Sequence, residues 1–309
     1  MLPLPFRRRR IRPWRRGERA GVRVLLVMKK VAIIGLGLMG GSLGLALKRR
    51  GLAKVSASAR RVDTRRLALS MGAVDEVFET PQEALGGADV AVFCTPVCSI
   101  PGLARECLSA FEPGCVVTDV GSTKADLARE MAGLFKGTKI VFVGSHPMAG
   151  SEKTGIEVAN AALYDHAVTA LTPVDGTPES AILTVENLWN GVGSSVVRLA
   201  PDIHDELVAR TSHLPHLVAA LLVATAGRNH PADLPKFCGP GFRSTSRVAA
   251  GSPEMWHDIV KTNRMAILAE LRAYHQQLDG LIATIEKQDF CEVKSFLEGA
   301  RTLRHKLLG

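Results

Sequence analysis

The chain has 309 residues, of which 46% are hydrophobic, a length and composition that suit two domains with sizeable cores. Nine arginines and one acid give residues 1–27 a charge of +8 out of the formal +9, so the remaining residues carry only +1. A nearly neutral body argues against nucleic-acid binding, and the sequence has no run of about 18 apolar residues that would predict a membrane span.

The N-terminal segment and the cysteines both favour a cytoplasmic protein. We expect residues 1–27 to be a disordered extension or an upstream reading of the start, because Met28 directly precedes the first predicted strand. Residues 22–27 are too short, and too interrupted by Arg23, to form the apolar part of a secretory signal. The six cysteines form no C-x-x-C pair, which is typical of reduced thiols.

Residues 31–42, VAIIGLGLMGGS, predict a buried strand, a glycine-rich turn and the start of a helix. Gly35 allows the tight turn, Gly37 lets the backbone approach a pyrophosphate, and Gly40 lets the helix pack closely on the strand. The N-terminus of that helix faces the phosphates. We therefore expect a dinucleotide site that includes Gly35, Gly37, Leu38, Met39 and Gly40.

From residue 30 onward, predicted strands alternate with helices, which indicates an α/β domain over residues 28–200 with a mostly parallel, doubly wound sheet of the Rossmann type. The predicted strands are 30–35, 54–58, 90–94, 116–119, 140–143, 168–172 and 195–199. The predicted helices cover 40–50 and 63–71 and begin near Ser99, Lys124 and Pro178.

The pattern changes after Pro201, where apolar residues recur every three or four positions. This spacing predicts helices over 202–226, 253–286 and 289–307, and hence an all-α second domain over 201–309. Helices of about 30 residues cannot bury their apolar faces alone in so small a domain. We therefore expect a homodimer in which a second subunit covers them.

Polar groups follow the predicted strands in three loops, which contain Thr95-Pro96, DVGSTK at 119–124 and GSHPMAGSE at 144–152. In an open α/β sheet, ligands bind in the crevice at the carboxyl ends of the strands. The helical region adds SHLPH at 212–216, GFRSTSR at 241–247, and Trp256, which suits a substrate wall and the core equally.

Five motifs in chain order resemble those of the prephenate and arogenate dehydrogenases of tyrosine biosynthesis, and the similarity covers residues 29–309. They are GLGLMGGS at 35–42, DVGSTK at 119–124, GSHPMAGSE at 144–152, SHLPH at 212–216 and GFRSTSR at 241–247. The resemblance implies a Rossmann-type domain, a helical dimerisation domain and an NAD(P)-dependent oxidative decarboxylation that needs no metal. The expected substrate is prephenate, which gives 4-hydroxyphenylpyruvate. Arogenate, which gives tyrosine, is the alternative.

The same resemblance assigns roles in the site. His146 takes the proton of the substrate hydroxyl, for which a neutral imidazole is suited, and Ser122 hydrogen-bonds that hydroxyl. Arg247 binds a substrate carboxylate with its planar guanidinium. The remaining expected substrate contacts are His216, His213, Ser151, Glu152 and Trp256, whereas Asp119 and Lys124 are expected to be structural.

Residues 59–61 favour NADP as the cofactor. An NAD site usually has an acid about 20 residues after the glycines to hold the ribose 2′-hydroxyl, and Ala59, Arg60 and Arg61 suit a 2′-phosphate instead. Thr95 and Pro96 are further expected cofactor contacts. Glu152 favours prephenate as the substrate but NAD as the cofactor, because prephenate-specific members of the family that use NAD commonly have a glutamate there.

Two other kinds of protein are alternatives. A β-hydroxyacid dehydrogenase also joins a Rossmann domain to a helical one, but it would use a lysine on the helix between them and has no place for the HPMAG and HLPH segments. A nucleotide-sensing or nucleic-acid-binding protein would use the basic tail. The sequence also departs from the resemblance at Ser244, where the family often has an aspartate.

Overall fold

The computed structural model describes residues 28–150, 153–229 and 232–309. Its first elements alternate strand and helix along the chain. They are β1 (Lys30–Ile34), α1 (Leu38–Arg49), β2 (Lys54–Ser58), α2 (Val62–Ser70), β3 (Glu76–Phe78), α3 (Pro81–Leu85), β4 (Val90–Phe93), α4 (Ile100–Glu106), β5 (Val116–Asp119), α5 (Ala125–Leu134) and β6 (Val141–Phe142).

These six strands form one parallel sheet in the order β3-β2-β1-β4-β5-β6. Strands β1 and β4 are almost wholly apolar because helices cover both faces of the sheet, and a hydrophobic core lies on each face. Successive strands are added on one side of β1 up to β3 and on its other side from β4 onward, and this reversal of strand order opens a ligand crevice at the carboxyl ends of β1 and β4. The predicted Rossmann-type fold is confirmed. The sequence missed β3, because three residues are too few to show a period.

The strands after β6 do not extend this sheet. A second sheet contains β7 (Gly144–Pro147), β8 (Val168–Thr172) and β9 (Ser195–Arg198), with α6 (Glu179–Gly191) between the last two. Strand β7 runs antiparallel to β8, and β9 runs parallel to it. The prediction of a loop over 144–147 was therefore wrong.

Gly144 shows why β7 can pair so closely with β8. A Cβ at Gly144 would lie only 2.5 Å from Oγ1 of Thr172, so the two strands meet where a side chain would not fit. The small and polar residues of this segment predict a loop. The segment is nevertheless a strand, because β8 supplies hydrogen-bond partners for its backbone groups.

After residue 200 the described elements are all helical. They are α7 (Pro201–Val208), a π-helical segment (Ala209–His213), α8 (Leu214–Ala226), α9 (Leu234–Phe237), α10 (Pro240–Ser246), a 3₁₀ turn (Arg247–Ala250), α11 (Pro253–Thr262), α12 (Arg264–Glu286) and α13 (Phe290–Leu308). The predicted domain boundary between residues 200 and 201 coincides with the start of α7 at Pro201, after β9 has ended at Arg198. The division into these two domains remains a prediction.

The helix predicted over 253–286 is two helices that meet at Asn263, so that prediction was wrong in its continuity. The break has a local cause. The Asn263 amide is turned inward and donates to the carbonyl of Asp205 at 2.8 Å. The buried Asn263 side chain therefore has a hydrogen-bond partner at the junction between α11 and α12.

Within the part of the chain that the structure describes, one helical stretch, Pro201–Ala226, meets the length and hydropathy of a membrane span. The sequence had predicted none. Buried helices of globular proteins meet the same criterion, and this stretch places Asp205, His213 and His216 in buried positions. Its exposed apolar side chains include Leu221 and Val223, on α8.

Candidate active site

The glycine-rich turn after β1 has the close backbone contacts that its sequence predicted. Gly35 has φ +103°, and a Cβ there would lie 2.9 Å from Cγ2 of Thr95. A Cβ at Gly40 would lie 2.0 Å from the carbonyl oxygen of Gly35. Around Gly37, by contrast, the described residues leave the Cβ position open to 4 Å. The turn and the helix contact thus require glycine, and Gly37 borders open space.

The start of α1 fits a phosphate group. Gly37 is its N-cap, and no side chain among the described residues caps it, so the first N–H groups of the helix remain donors. The carbonyl of Met39, in the first turn beside Leu38, accepts a 2.7 Å hydrogen bond from the buried Tyr164 hydroxyl.

Thr95 adds a second sign of a ligand. Its Oγ1 is buried without a hydrogen-bond partner among the residues that the structure describes, just after β4 and against Gly35. A buried hydroxyl without a partner is costly unless a ligand or water completes it. The turn, the helix start and Thr95 together fit a dinucleotide, and Pro96 lies exposed beside them.

The end of β2 presents two cations. Arg60 and Arg61 are exposed where the strand ends at Ser58. The guanidinium of Arg65, in α2, donates to the carbonyls of Ala59 at 2.8 Å and Arg60 at 2.9 Å. Arg65 therefore holds the backbone that presents both arginines.

His146 lies on β7, half-buried, with Nδ1 2.9 Å from Nε2 of His204. Burial holds the pKa of His146 well below 6.5, and the nearby charges of His204, Lys124 and His213 lower it further. The imidazole is therefore neutral near pH 7, as a proton acceptor must be.

The sequence did not point to His204 or Asp205, which lie in the middle of α7 and are both buried. Nδ1 of His204 is 2.8 Å from Oδ1 of Asp205. The same carboxylate accepts the backbone N–H groups of Lys124 at 2.8 Å and Ala125 at 2.9 Å, at the start of α5. The adjacent His-Asp pair was visible in the sequence, but nothing in its spacing linked it to His146.

Asp119 and Lys124 form a buried ion pair behind β7. Nζ of Lys124 also donates to the carbonyl of Ser145 at 2.8 Å, and Oδ1 of Asp119 accepts the Ser145 N–H at 3.1 Å. The pair thus ties the end of β5 to the strand that carries His146. This geometry agrees with the structural role that the sequence suggested for both residues.

The helical side of the site contains two more buried histidines. His216 stacks on Trp256, with ring centroids 3.5 Å apart and 12° between the planes. His213 meets the edge of the same indole at 5.9 Å, and its Nδ1 lies 3.2 Å from the Asn263 amide nitrogen. Burial lowers the pKa of both histidines, to about 4 for His213.

Arg247 and Ser122 lie on segments that border these groups. Arg247 is exposed and begins the 3₁₀ turn, and the backbone of Val248 in that turn hydrogen-bonds His216. Ser122 is half-buried in the loop between β5 and α5, beside Thr123, whose hydroxyl is 2.7 Å from that of Thr262. Two expected substrate contacts, Ser151 and Glu152, lie outside the described residues.

Histidines and carboxylates could suggest a metal site. Within residues 28–150, 153–229 and 232–309, however, no group of three or more His, Cys, Asp or Glu side chains is arranged to hold a metal ion. The histidines of the site are instead joined by hydrogen bonds and ring contacts.

The region at the carboxyl edge of the parallel sheet therefore has groups suited to a hydride transfer and to a proton transfer. The glycine turn after β1 can hold a hydride carrier, and the neutral His146, which follows β6 along the chain, can accept a proton. These are the requirements of an NAD(P)-dependent oxidoreductase.

Two family models match most of the chain. The nucleotide-binding domain of prephenate dehydrogenase matches residues 43–198, and the dimerization domain of prephenate dehydrogenase matches residues 200–299. The chain belongs to the prephenate dehydrogenase family. This result favours the resemblance over the β-hydroxyacid and non-enzyme alternatives.

Individual relatives agree with the family. The prephenate dehydrogenase of Bacillus subtilis is 31% identical over 90% of this chain and 76% of its own length. A crystal structure of the A. aeolicus prephenate dehydrogenase with hydroxyphenyl propionate and NAD+ is 29% identical, with a TM-score of 0.85 over 91% of this chain and 99% of that one. The Synechocystis arogenate dehydrogenase is 32% identical, with a TM-score of 0.77 over 90% of this chain and 100% of that one.

Proposed function

We propose that this protein converts prephenate to 4-hydroxyphenylpyruvate by oxidation and decarboxylation, with His146 as the base. The observation that carries the proposal is the neutral His146 held by His204 at the edge of a dinucleotide fold. Family membership supplies the substrate class. A loose surface histidine would instead titrate near pH 6.5 and would have no fixed orientation.

The reaction removes a hydride from the ring carbon that bears the hydroxyl, and the nicotinamide, when bound, accepts it. The hydroxyl O–H bond breaks as an N–H bond forms on His146. Ser122 hydrogen-bonds the same oxygen and orients it. The C–C bond to the ring carboxylate then breaks, carbon dioxide leaves, and the bonding electron pair makes the ring an aromatic phenolate that regains the proton from His146. Formation of the aromatic ring makes the reaction strongly favourable.

The substrate has two carboxylates, and Arg247 is proposed to bind one of them. His216 stands next to the turn that Arg247 begins, and Trp256 fixes its ring. His213 contacts the same indole, with the two ring planes 88° apart. Ser151 and Glu152, which follow β7 in the sequence, are proposed as further contacts.

Arogenate remains the second candidate substrate, because a relative of similar identity bears that name. Prephenate and arogenate differ only in a keto or amino group on the side chain. The deciding experiment is an absorbance assay for reduced nicotinamide with each substrate paired with NAD or NADP. Reduction with prephenate supports the proposal, reduction with arogenate alone transfers it to the alternative, and no reduction in any of the four mixtures overturns both.

We further propose NADP as the preferred cofactor, because Arg60 and Arg61 are exposed at the end of β2 and the backbone there is held by Arg65. Arg60→Ala and Arg61→Ala should each raise KM for NADP by about 10- to 100-fold and leave KM for NAD nearly unchanged, since each removes charge-assisted bonds. Arg66→Ala, an exposed arginine later on α2, is the matched control. Equal effects on both cofactors would show that these arginines do not recognise the 2′-phosphate and would overturn the preference for NADP.

Finally, we propose a cytoplasmic homodimer. The exposed apolar residues on α8 and α12, such as Leu221 and Leu278, need a covering surface, and the family model for this region is a dimerisation domain. Sedimentation of the full chain tests the dimer, and a monomer at micromolar concentration would contradict it.

A further inference from the structure

We propose that His204 and Asp205 are positioning residues that fix the tautomer of His146 and stabilise its positive charge during proton transfer. Three side chains form one continuous line of hydrogen bonds. His146 Nδ1 is 2.9 Å from His204 Nε2, and His204 Nδ1 is 2.8 Å from Asp205 Oδ1. This inference rests on the proposed role of His146 as the base.

The direction of the line follows from its far end. Asp205 already accepts the N–H groups of Lys124 and Ala125, so its carboxylate acts as an acceptor toward His204 as well. Nδ1 of His204 must then carry the proton, which leaves Nε2 of the neutral ring as an acceptor. His146 consequently donates from Nδ1, and its own Nε2 keeps the lone pair.

That tautomer is the one that the reaction needs. Nε2 of His146 lies outside the line of hydrogen bonds and can take the proton of the substrate hydroxyl, so that the O–H bond breaks and an N–H bond forms. The Nδ1 proton stays in place. The resulting imidazolium strengthens the bond to His204, and the Asp205 carboxylate balances its charge through the intervening ring, without receiving a proton.

The elements that carry His146, His204 and Asp205 hold these side chains in fixed positions. His146 is fixed in β7 by pairing with Ala170 of β8. His204 and Asp205 lie in α7, where they are only 1% and 4% exposed. Asp205 also caps α5, so the line joins the parallel-sheet region to the helices. Groups held in this way keep their geometry without rearrangement during the reaction.

Two conservative variants separate the contacts of His204. A glutamine side chain can place its amide oxygen near the position of Nε2, which keeps an acceptor for His146 and loses the bond to Asp205. An asparagine can place its amide nitrogen near the position of Nδ1, which keeps the bond to Asp205 and loses the acceptor. Both are smaller than or similar in size to histidine, and thermal unfolding measures any effect on stability.

We expect His204→Asn to lower kcat about 10- to 1000-fold with little change in KM, the range seen when a group that orients a catalytic histidine is lost. His204→Gln should retain kcat within about tenfold of the unchanged enzyme. A purely structural role predicts that loss of kcat follows loss of thermal stability, in either variant. Equal kcat for the two variants at equal stability would overturn the proposal.

A spectroscopic measurement on the full chain tests the tautomer without substrate. In protein with isotope-labelled histidine nitrogens, assigned with His146→Asn, His146 should be protonated at Nδ1 in the unchanged protein and in His204→Gln, and mixed in His204→Asn. Protonation at Nε2 in the unchanged protein would overturn the inference even if the enzyme is active. If His146 has the expected tautomer but the protein oxidises neither prephenate nor arogenate, only the proposed function is contradicted.

Discussion

His216 and Trp256 lie face to face, with their ring centroids 3.5 Å apart, and Gly251 permits this contact. A Cβ at Gly251 would lie 2.7 Å from the indole nitrogen and 3.2 Å from Cε1 of His216. Two rings and a glycine thus fix one wall of the proposed substrate site. In the sequence, Trp256 suits the core and a substrate wall equally, and its contacts fit both.

Trp256→Ala should raise KM for the substrate by roughly threefold to tenfold, because an aromatic contact contributes about 0.5–1.5 kcal/mol beyond its buried area and its loss frees His216. Trp256→Phe keeps a ring and should stay close to the unchanged enzyme. Gly251→Ala should raise KM without removing either ring. Steady-state kinetics check all three, and an unchanged KM in Trp256→Ala would show that the stack does not position His216.

His146→Asn should lower kcat about 10²- to 10⁴-fold and leave KM nearly unchanged, because it removes a base that acts only in the transition state. The measurement is the initial rate of cofactor reduction at saturating substrate. His257→Asn, an exposed histidine on α11, is the control. An undiminished kcat would remove His146 from the mechanism.

Arg247→Ala should chiefly raise KM for the substrate, by about 10- to 100-fold, since it removes charge-assisted bonds to a carboxylate that are present before and during the reaction. Arg243→Ala is the control, because the Arg243 guanidinium donates to the carbonyl of Cys238 at 2.9 Å. If kcat alone fell in Arg247→Ala, the carboxylate would be bound elsewhere.

The stability of the protein should decrease on mild acidification. Burial lowers the pKa of His213 to about 4 in the folded protein, whereas an unperturbed histidine has a pKa of about 6.5, so the unfolded chain binds more protons between these limits. The free energy of unfolding should therefore fall as pH drops from about 6.5 to about 4, by about 3 kcal/mol in total from this histidine. The lowered pKa values of His146 and His216 act in the same direction.

Urea denaturation at pH 7 and pH 5, at one protein concentration, measures this effect. His213→Gln should lose less stability than the unchanged protein between the two values, by about 2 kcal/mol. His257→Gln should show the same pH dependence as the unchanged protein. An identical slope in His213→Gln would mean that His213 is not the group responsible.

Lys124→Met should destabilise the protein by about 3–5 kcal/mol, because Asp119 would be left as a buried, unpaired charge. Both side chains are almost fully buried, at 1% and 0% exposed. Asp119→Asn combined with Lys124→Met should be less destabilising than the sum of the two single changes. Urea denaturation of the three variants tests this, and strict additivity would contradict the coupling.

The same cycle on an exposed pair provides the comparison. Arg129 and Asp126 form an ion pair on the surface of α5, where solvent screens both charges. Replacement of either residue should change stability by less than about 1 kcal/mol. A similar effect at both pairs would show that burial does not govern the Lys124 result.

Local signals in the sequence determined a large part of this protein. The backbone at positions 35 and 40 leaves room only for glycine, so these two residues mark the turn in the sequence. The apolar runs of β1 and β4 follow from burial on both faces of a sheet. His146 was found because it lies within a long motif. These features depend on residues close together in the chain, so their spacing is visible in one dimension.

Tertiary structure alone decided the features that join distant residues. Strand β7 exists because β8 pairs with it, α11 and α12 separate at Asn263 because that amide reaches the Asp205 carbonyl, and His204 comes within 2.9 Å of His146 from 58 positions along the chain. Hydrogen bonds of this kind impose no spacing on the sequence. The sequence thus determined the nucleotide turn and the position of His146 within a motif, whereas packing of α7 against β7 and α5 decided which side chains contact His146.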